Sequence, residues 1–398
     1  METLKTAVLY GADAVYIGGA AFSLRAKADN FGDREMKEGI AFAHAHGARV
    51  FVAVNIFAHN ADIRAAENYL LRLREIRPDA LIVSDPGLFS MCRRLISDME
   101  LHVSTQMNNT NYETFRFWHA LGAKRVVTAR ELSLGEIREI REKIPADLEI
   151  ESFVHGAMCI SYSGRCLLSN FMAGRDANRG ACSHPCRWNY ALVEQKRPGQ
   201  YYPIEEDERG TYILNSKDLC MIGHLPELIE AGVNSLKVEG RMKTQLYVAT
   251  VARAYRKAID DLMESEELYR KNLPVYQEEV RKCTHREFTT GCYFGRPDQQ
   301  AQIYDSNTYV RSYTYLGIAE EVKEDGSFVI EQKNKFSVGD EIEVIKPDFS
   351  TIPAKVLSIR DAVTGVEQPS CPHSRQKLLI QLDRTPNRYD ILRVETKE

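Results

Sequence analysis

The segment from Glu151 to Trp188, with Cys220 beyond it, constrains this chain more than any other stretch. It reads ESFVHGAMCISYSGRCLLSNFMAGRDANRGACSHPCRW and holds four of the nine cysteines, Cys159, Cys166, Cys182 and Cys186. Cys220 follows in the run Asn215-Ser-Lys-Asp-Leu-Cys220, so the spacing is C-x6-C-x15-C-x3-C-x33-C. Zinc ribbons and zinc fingers use close Cys-x2-Cys pairs and do not match it. Gly, Ser, Asn and Arg are frequent and periodicity is weak, so the segment reads as loop. Several thiols on one loop point to a soft metal centre, because a packed core scatters cysteines singly. Cys92, Cys283, Cys292 and Cys371 are isolated in that way and read as structural.

The rest of the chain sets the frame for that loop. Its 398 residues suggest two or three domains, and 44% hydrophobic residues supply a large core. A net charge of -4 gives no global basic field, so contact with RNA would need a local patch. No apolar run approaches the ~20 residues of a membrane span, and the N-terminus lacks the order of a signal peptide. With an odd number of cysteines in a large chain, a secreted disulfide scaffold is not expected. The expected location is the cytoplasm, with reduced thiols available to a metal.

Over the first 260 or so residues, short apolar runs alternate with amphipathic helical ones. Strands are predicted at 14–18, 49–55, 80–85, 101–106, 125–130, 149–154 and 235–239, with helices such as 34–46, 61–74 and 133–143 between them. That alternation predicts an α/β fold, a (β/α)8 TIM-like barrel. The chain opens directly in a helix, so the barrel is expected to lack its first strand. Expected boundaries are 1–262 for the barrel, with the cysteine loop at 151–220, then a helical and turn-rich linker at 263–303. From 304 to 398, short alternating strands with turns such as Asp325-Gly326 predict a small C-terminal antiparallel β-barrel, a type that often presents a face to nucleic acid.

Polar residues close almost every predicted strand, and in a barrel such ends converge on one mouth. Asp85 before Pro86, and Ser133, read as helix caps. Arg130, Glu131, Glu151 and Arg241 fit capping poorly and are candidate catalytic residues, as is His155. His155 and Cys159 would lie one turn apart on a helix and could form a thiolate–imidazole pair. Neither H-E-x-x-H nor G-x-S-x-G occurs. Four thiolates suit zinc or an iron–sulfur cluster; the irregular spacing and the long reach to Cys220 favour the cluster.

Residues 151–169, ESFVHGAMCISYSGRCLLS, resemble the signature of peptidase family U32, the collagenase-like group. The runs GADAVYIGG at 11–19, TAREL at 128–132, SKDLC at 216–220 and LKVEGR at 236–241 are similar to its other landmarks. Members usually carry one more strand, ending in a Pro-Ala-Gly turn, ahead of the point where this chain begins. Within the family the likeness is greatest to the tRNA hydroxylation proteins, which form 5-hydroxyuridine at the wobble position using prephenate. The resemblance implies a [4Fe-4S] cluster on Cys159, Cys166, Cys182 and Cys220, with Cys186 as the surplus thiol. Cys186 is also the alternative to Cys182 in that set. The resemblance further implies the tRNA anticodon region and prephenate as partners, and a related subunit as another. A U32-type peptidase and a non-catalytic cluster-bearing assembly subunit are the alternatives.

The residues are consistent with this chemistry. Hydroxylating C5 of a pyrimidine needs an oxygen donor and electron transfer, and side chains are poor redox agents. Prephenate carries two carboxylates, which arginines grip well; Arg130 and Arg241 are the candidates. Arg165, Arg175, Arg179, Arg187 and Trp188 offer faces on which an unpaired base could stack.

Overall fold

The computed structural model describes residues 1–24, 30–159, 161–188, 191–193, 201–203, 215–295, 302–303 and 309–396. By contact these form two units. One comprises Met1, Asp13–Met242 and Arg286–Tyr309; the other comprises Glu2–Ala12, Lys243–His285 and Val310–Glu398.

In the first unit, β1 (Ala14–Gly18), β2 (Arg49–Val54), β3 (Ala80–Val83), β4 (Glu100–Val103), β5 (Arg125–Val127) and β6 (Glu149–Ala157) lie side by side, parallel and in chain order. β7 (Asp218–Cys220) runs antiparallel to the end of β6, and β8 (Ser235–Val238) runs parallel to its earlier part. β9 (Phe288–Thr289) extends the sheet from β7. β3 is apolar on both faces, because helices cover its outer side and the neighbouring strands its inner one, and all four of its residues are buried. The helix Ile63–Ile76 shows why the covering forms. Ala66, Tyr69, Leu70, Leu73 and Ile76 recur every three or four residues and are its buried face. The caps are as the sequence predicts: Asp85 accepts from Leu88 N–H with Pro86 in the first turn, and Ser133 forms a capping box with Glu136.

The TIM-like reading therefore holds for seven parallel strands, β1–β6 and β8. Among the described residues no strand joins β8 to β1, so the barrel is open along that seam. Side chains cross it instead. Lys237 Nζ lies 4.4 Å from the centre of the Tyr16 ring. Arg241 donates to Leu24 O, to Ser23 Oγ at 2.9 Å and to Asn30 Oδ1 at 2.5 Å. Gly18 makes room for this arginine, since a Cβ there would fall 1.8 Å from Arg241 Nη2. Two of the sequence landmarks, the Gly-Gly end of β1 and the Gly-Arg after β8, thus meet across the gap.

The second unit holds a seven-stranded antiparallel sheet: Tyr313–Ile318, Glu321–Val322, Phe328–Glu331, Glu341–Ile345, Thr351–Asp361, Lys377–Leu382 and Ile391–Glu395. Alternate residues such as Phe328, Ile330, Ile342, Val344, Ile380 and Leu382 form its core. The helices Gln245–Glu264 and Glu266–Arg281, which the sequence puts in the barrel and the linker, belong by contact to this unit. The reason is the apolar stripe of the first: Leu246 and Ala249 share a buried cluster with Tyr10, Tyr315, Ile345 and Ile391. The contact boundaries therefore differ from those expected at 262 and 303. Buried Glu279 accepts from both Arg253 and Arg393, which ties the helices to the sheet within the unit. Among the described residues no helix is long and apolar enough to cross a membrane.

Candidate functional site

A cavity of about 340 Å³ opens where the parallel strands end. Its floor takes one inward residue from each of several strands: Tyr16, Ala53, Ile82, Val127, Phe153 and Lys237. Asn55, Gln106, Arg130, Glu239 and Arg241 stand at the strand ends above them, and the cysteine loop closes the other side with Cys159, Cys166, Cys182, His184 and Cys186. The polar strand ends read from the sequence do converge, as barrel geometry requires.

Hydrogen bonds and one ion pair seat the loop. Asn108, in the left-handed region at φ 53°, donates Nδ2–H to Ser163 O at 2.8 Å and accepts from Arg165 Nε at 2.7 Å. Arg179 clasps Asp62 with two bonds of 3.0 and 3.1 Å, and holds that carboxyl below its ordinary range. Ser169 and Ser183 bond through their hydroxyls at 3.0 Å. Gly164 sits at φ 74°, and a Cβ there would meet Gln106 Oε1 at 2.6 Å and Phe57 at 2.9 Å. The Ser-Gly-Arg of the signature is thus a structural clamp that brings Cys166 to the cavity. Gly164→Ala, strained in both backbone and contact, is expected to loosen the clamp by about 1–3 kcal/mol. Trypsin should then cut at Arg165 or Arg175 several-fold faster than in the unmodified protein, and equal cutting would refute the clamp.

The thiols differ in setting. Cys159 is exposed, and Cys166, Cys182, Cys186 and Cys220 are partly buried. Cys182 Sγ accepts the His184 backbone N–H at 3.4 Å, a type of bond that stabilises a sulfur ligand. Cys159, Cys166, Cys182 and Cys186 border the cavity; Cys220 stands on β7 opposite His155 and is not on its wall. Among the described residues, no three His, Cys, Asp or Glu side chains are drawn close enough to hold a metal by themselves. The donor set nevertheless fits a thiolate-bound cluster: several soft ligands border one cavity, on a loop anchored at both flanks. Final closure of such ligands is commonly coupled to metal binding itself. Cys92, Cys283 and Cys371 are buried, and burial pushes the Cys92 thiol up to about 12.

The other sequence candidates separate clearly. Arg130 is on the cavity wall. Its Nη1 donates to Ala157 O at 2.8 Å, its guanidinium lies 3.8 Å from the Phe153 ring centre, and its buried Nε has no hydrogen-bond partner among the described residues. Arg241 is also on the wall, with the three bonds to residues 23–30 given above. Glu131 is off the wall; burial raises its carboxyl, and burial together with the nearby Glu131 charge raises the Cys292 thiol. Glu151 is not at the mouth. It is the third residue of β6, buried, and accepts from Arg125 at 2.9 Å, from Ser235 at 2.9 Å and from Lys237. His155 is buried in β6 against Phe288, with ring centres 5.4 Å apart. Because β6 is extended through Ala157, the helical spacing expected to pair His155 with Cys159 does not occur. Cys159 Sγ instead has Ser161 Oγ 4.0 Å away. Trp188 is exposed; the Arg187 side chain lies outside the described residues.

Lys237 is a cavity residue absent from the sequence candidates. Its signal was a lysine inside an otherwise apolar strand, Leu236-Lys-Val238, where alternation puts it on the inner face.

Residues 1–303 match the model of peptidase family U32, and residues 311–393 match that of its C-terminal domain. The tRNA hydroxylation protein P1 of Bacillus subtilis is 41% identical over 388 residues, 96% of this chain and 90% of that protein. The tRNA hydroxylation protein P of Escherichia coli is 38% identical, covering 87% of this chain and 84% of that protein. A 23S rRNA 5-hydroxycytidine synthase of Escherichia coli is 39% identical over 260 residues, 65% of this chain and 38% of that protein.

Proposed function

The chain belongs to peptidase family U32, and from that premise we propose that it is an enzyme of RNA hydroxylation, forming 5-hydroxyuridine at the wobble position of tRNA with prephenate as co-substrate. The observation that carries this reading is the cavity itself, thiols on one side and strand-end cations on the other, in a chain whose relatives are named for hydroxylating tRNA and rRNA. Cys159, Cys166, Cys182 and Cys220 would hold a [4Fe-4S] cluster. Three of them border the cavity, and the fourth is on the strand bonded to β6, which leads into Cys159. Cys186 borders the cavity too, which favours it as the competing fourth ligand. When bound, such a cluster supplies electron transfer that side chains lack.

The protein's own residues then have separate tasks. Arg130, on the cavity wall over the Phe153 ring, grips a carboxylate. Arg241 holds the loop after β1 over the seam and so shapes the mouth. The exposed loop residues Tyr162, Phe171 and Trp188 offer apolar faces to unpaired bases beside the one that enters. A bacterial host whose sole wobble-uridine hydroxylation protein is this one, and which makes no prephenate, is expected to yield tRNA without 5-hydroxyuridine until prephenate synthesis is restored. Normal 5-hydroxyuridine in the prephenate-free host would remove prephenate from the reading. Gelatin cleavage by the pure protein, abolished in Cys159→Ser, would favour the peptidase instead.

A further inference from the structure

We infer that Lys237 makes direct contact with the carboxylate co-substrate at the cavity floor, an inference that rests on the co-substrate reading above. Of the six floor residues, Lys237 is the charged one; the others are aliphatic or aromatic. A cation in such a layer is costly to desolvate, and an apolar residue of similar length would fill the space more cheaply. Its one hydrogen-bond partner among the described residues is Glu151, which also accepts from Arg125 and Ser235. An ammonium has further N–H donors to offer. Its Nζ lies 4.4 Å from the Tyr16 ring centre and 5.7 Å from that of Phe153. Arg130 stacks on that same Phe153 ring at 3.8 Å. Two cations therefore flank one aromatic wall inside the cavity. That pattern suits a small ligand with an apolar ring and two carboxylates, one taken by each cation. Arg241, which the sequence nominated for the second grip, spends its guanidinium on the loop after β1.

The test is calorimetric titration of prephenate into the full-length protein, purified without oxygen. Lys237→Met is expected to weaken binding about ten- to a hundredfold, the loss typical of one charge-assisted contact. Ser235→Ala disturbs the same Glu151 but lines no part of the cavity, so its affinity should match that of the unmodified protein. Thermal melting checks folding, and Lys237→Gln, which keeps an N–H for Glu151, stands in if the methionine variant does not fold. Unchanged binding in the folded Lys237 variant overturns the inference alone. Equal weakening in Ser235→Ala overturns it too, because Lys237 would then act only through Glu151. Failure of the unmodified protein to bind prephenate overturns the co-substrate reading, and this inference with it.

Discussion

Cys166→Ala protein, purified without oxygen, is expected to lose essentially all bound iron, acid-labile sulfide and visible absorbance. Cys166 follows directly on the Ser163-Gly164-Arg165 clamp and borders the cavity. The backbone there is already held, so the alanine variant removes a ligand without unseating the loop. Structural metal sites supply apparent binding energies of about 10–16 kcal/mol for a complete ligand set in the zinc-peptide case, and a missing thiolate forfeits a share of that. The same loss is expected for Cys159→Ala, Cys182→Ala and Cys220→Ala, whereas Cys186→Ala should keep its iron. Iron analysis of the five variants decides the ligand set. Retention in Cys220→Ala with loss in Cys186→Ala would transfer the fourth position to the thiol on the cavity wall. Full iron in all five would end the cluster assignment.

Glu151→Gln should destabilise the barrel by about 3–5 kcal/mol, the usual result of leaving buried charges without their counter-ion. Burial by itself would raise this carboxyl, but Lys237 and Arg125 outweigh it and bring it from its ordinary value of 4.5 to about 2. A carboxyl with a depressed folded-state value stabilises the fold at any pH above its unfolded value. That contribution fades as the pH falls from about 4.5 towards 2. Denaturant melts at pH 7 should therefore separate the two proteins widely. The gap should narrow through that acid window, because protonation neutralises the same carboxylate in the unmodified protein. A constant gap from pH 7 to pH 2.5 would show that Glu151 acts by shape rather than by charge.

Much of the fold was legible because its signals are local. Strand 80–83 is continuous aliphatic sequence, and the helices carry their own caps in Asp85 and Ser133. The cysteine loop announced itself by composition. What was not legible depends on partners distant in the chain. Glu151 looked like a mouth residue because nothing local says that Arg125, Ser235 and Lys237 will close on it from β5 and β8. Arg241 looked available until Ser23, Leu24 and Asn30 were seen to receive it. His155 and Cys159 were paired on the assumption of a helical turn, but the β-strand register with β7 and β8 keeps that stretch extended. Likewise the helix Gln245–Glu264 reads from sequence as one more barrel helix. Only its buried stripe against Tyr315 and Ile391 assigns it to the second unit.

Nucleoside mass spectrometry of tRNA from cells lacking this protein, beside the same cells with it restored, tests the proposed RNA hydroxylation most directly. 5-Hydroxyuridine and its derivatives should vanish from the first sample and return in the second; normal levels in the first, in cells with no second family member, would contradict it.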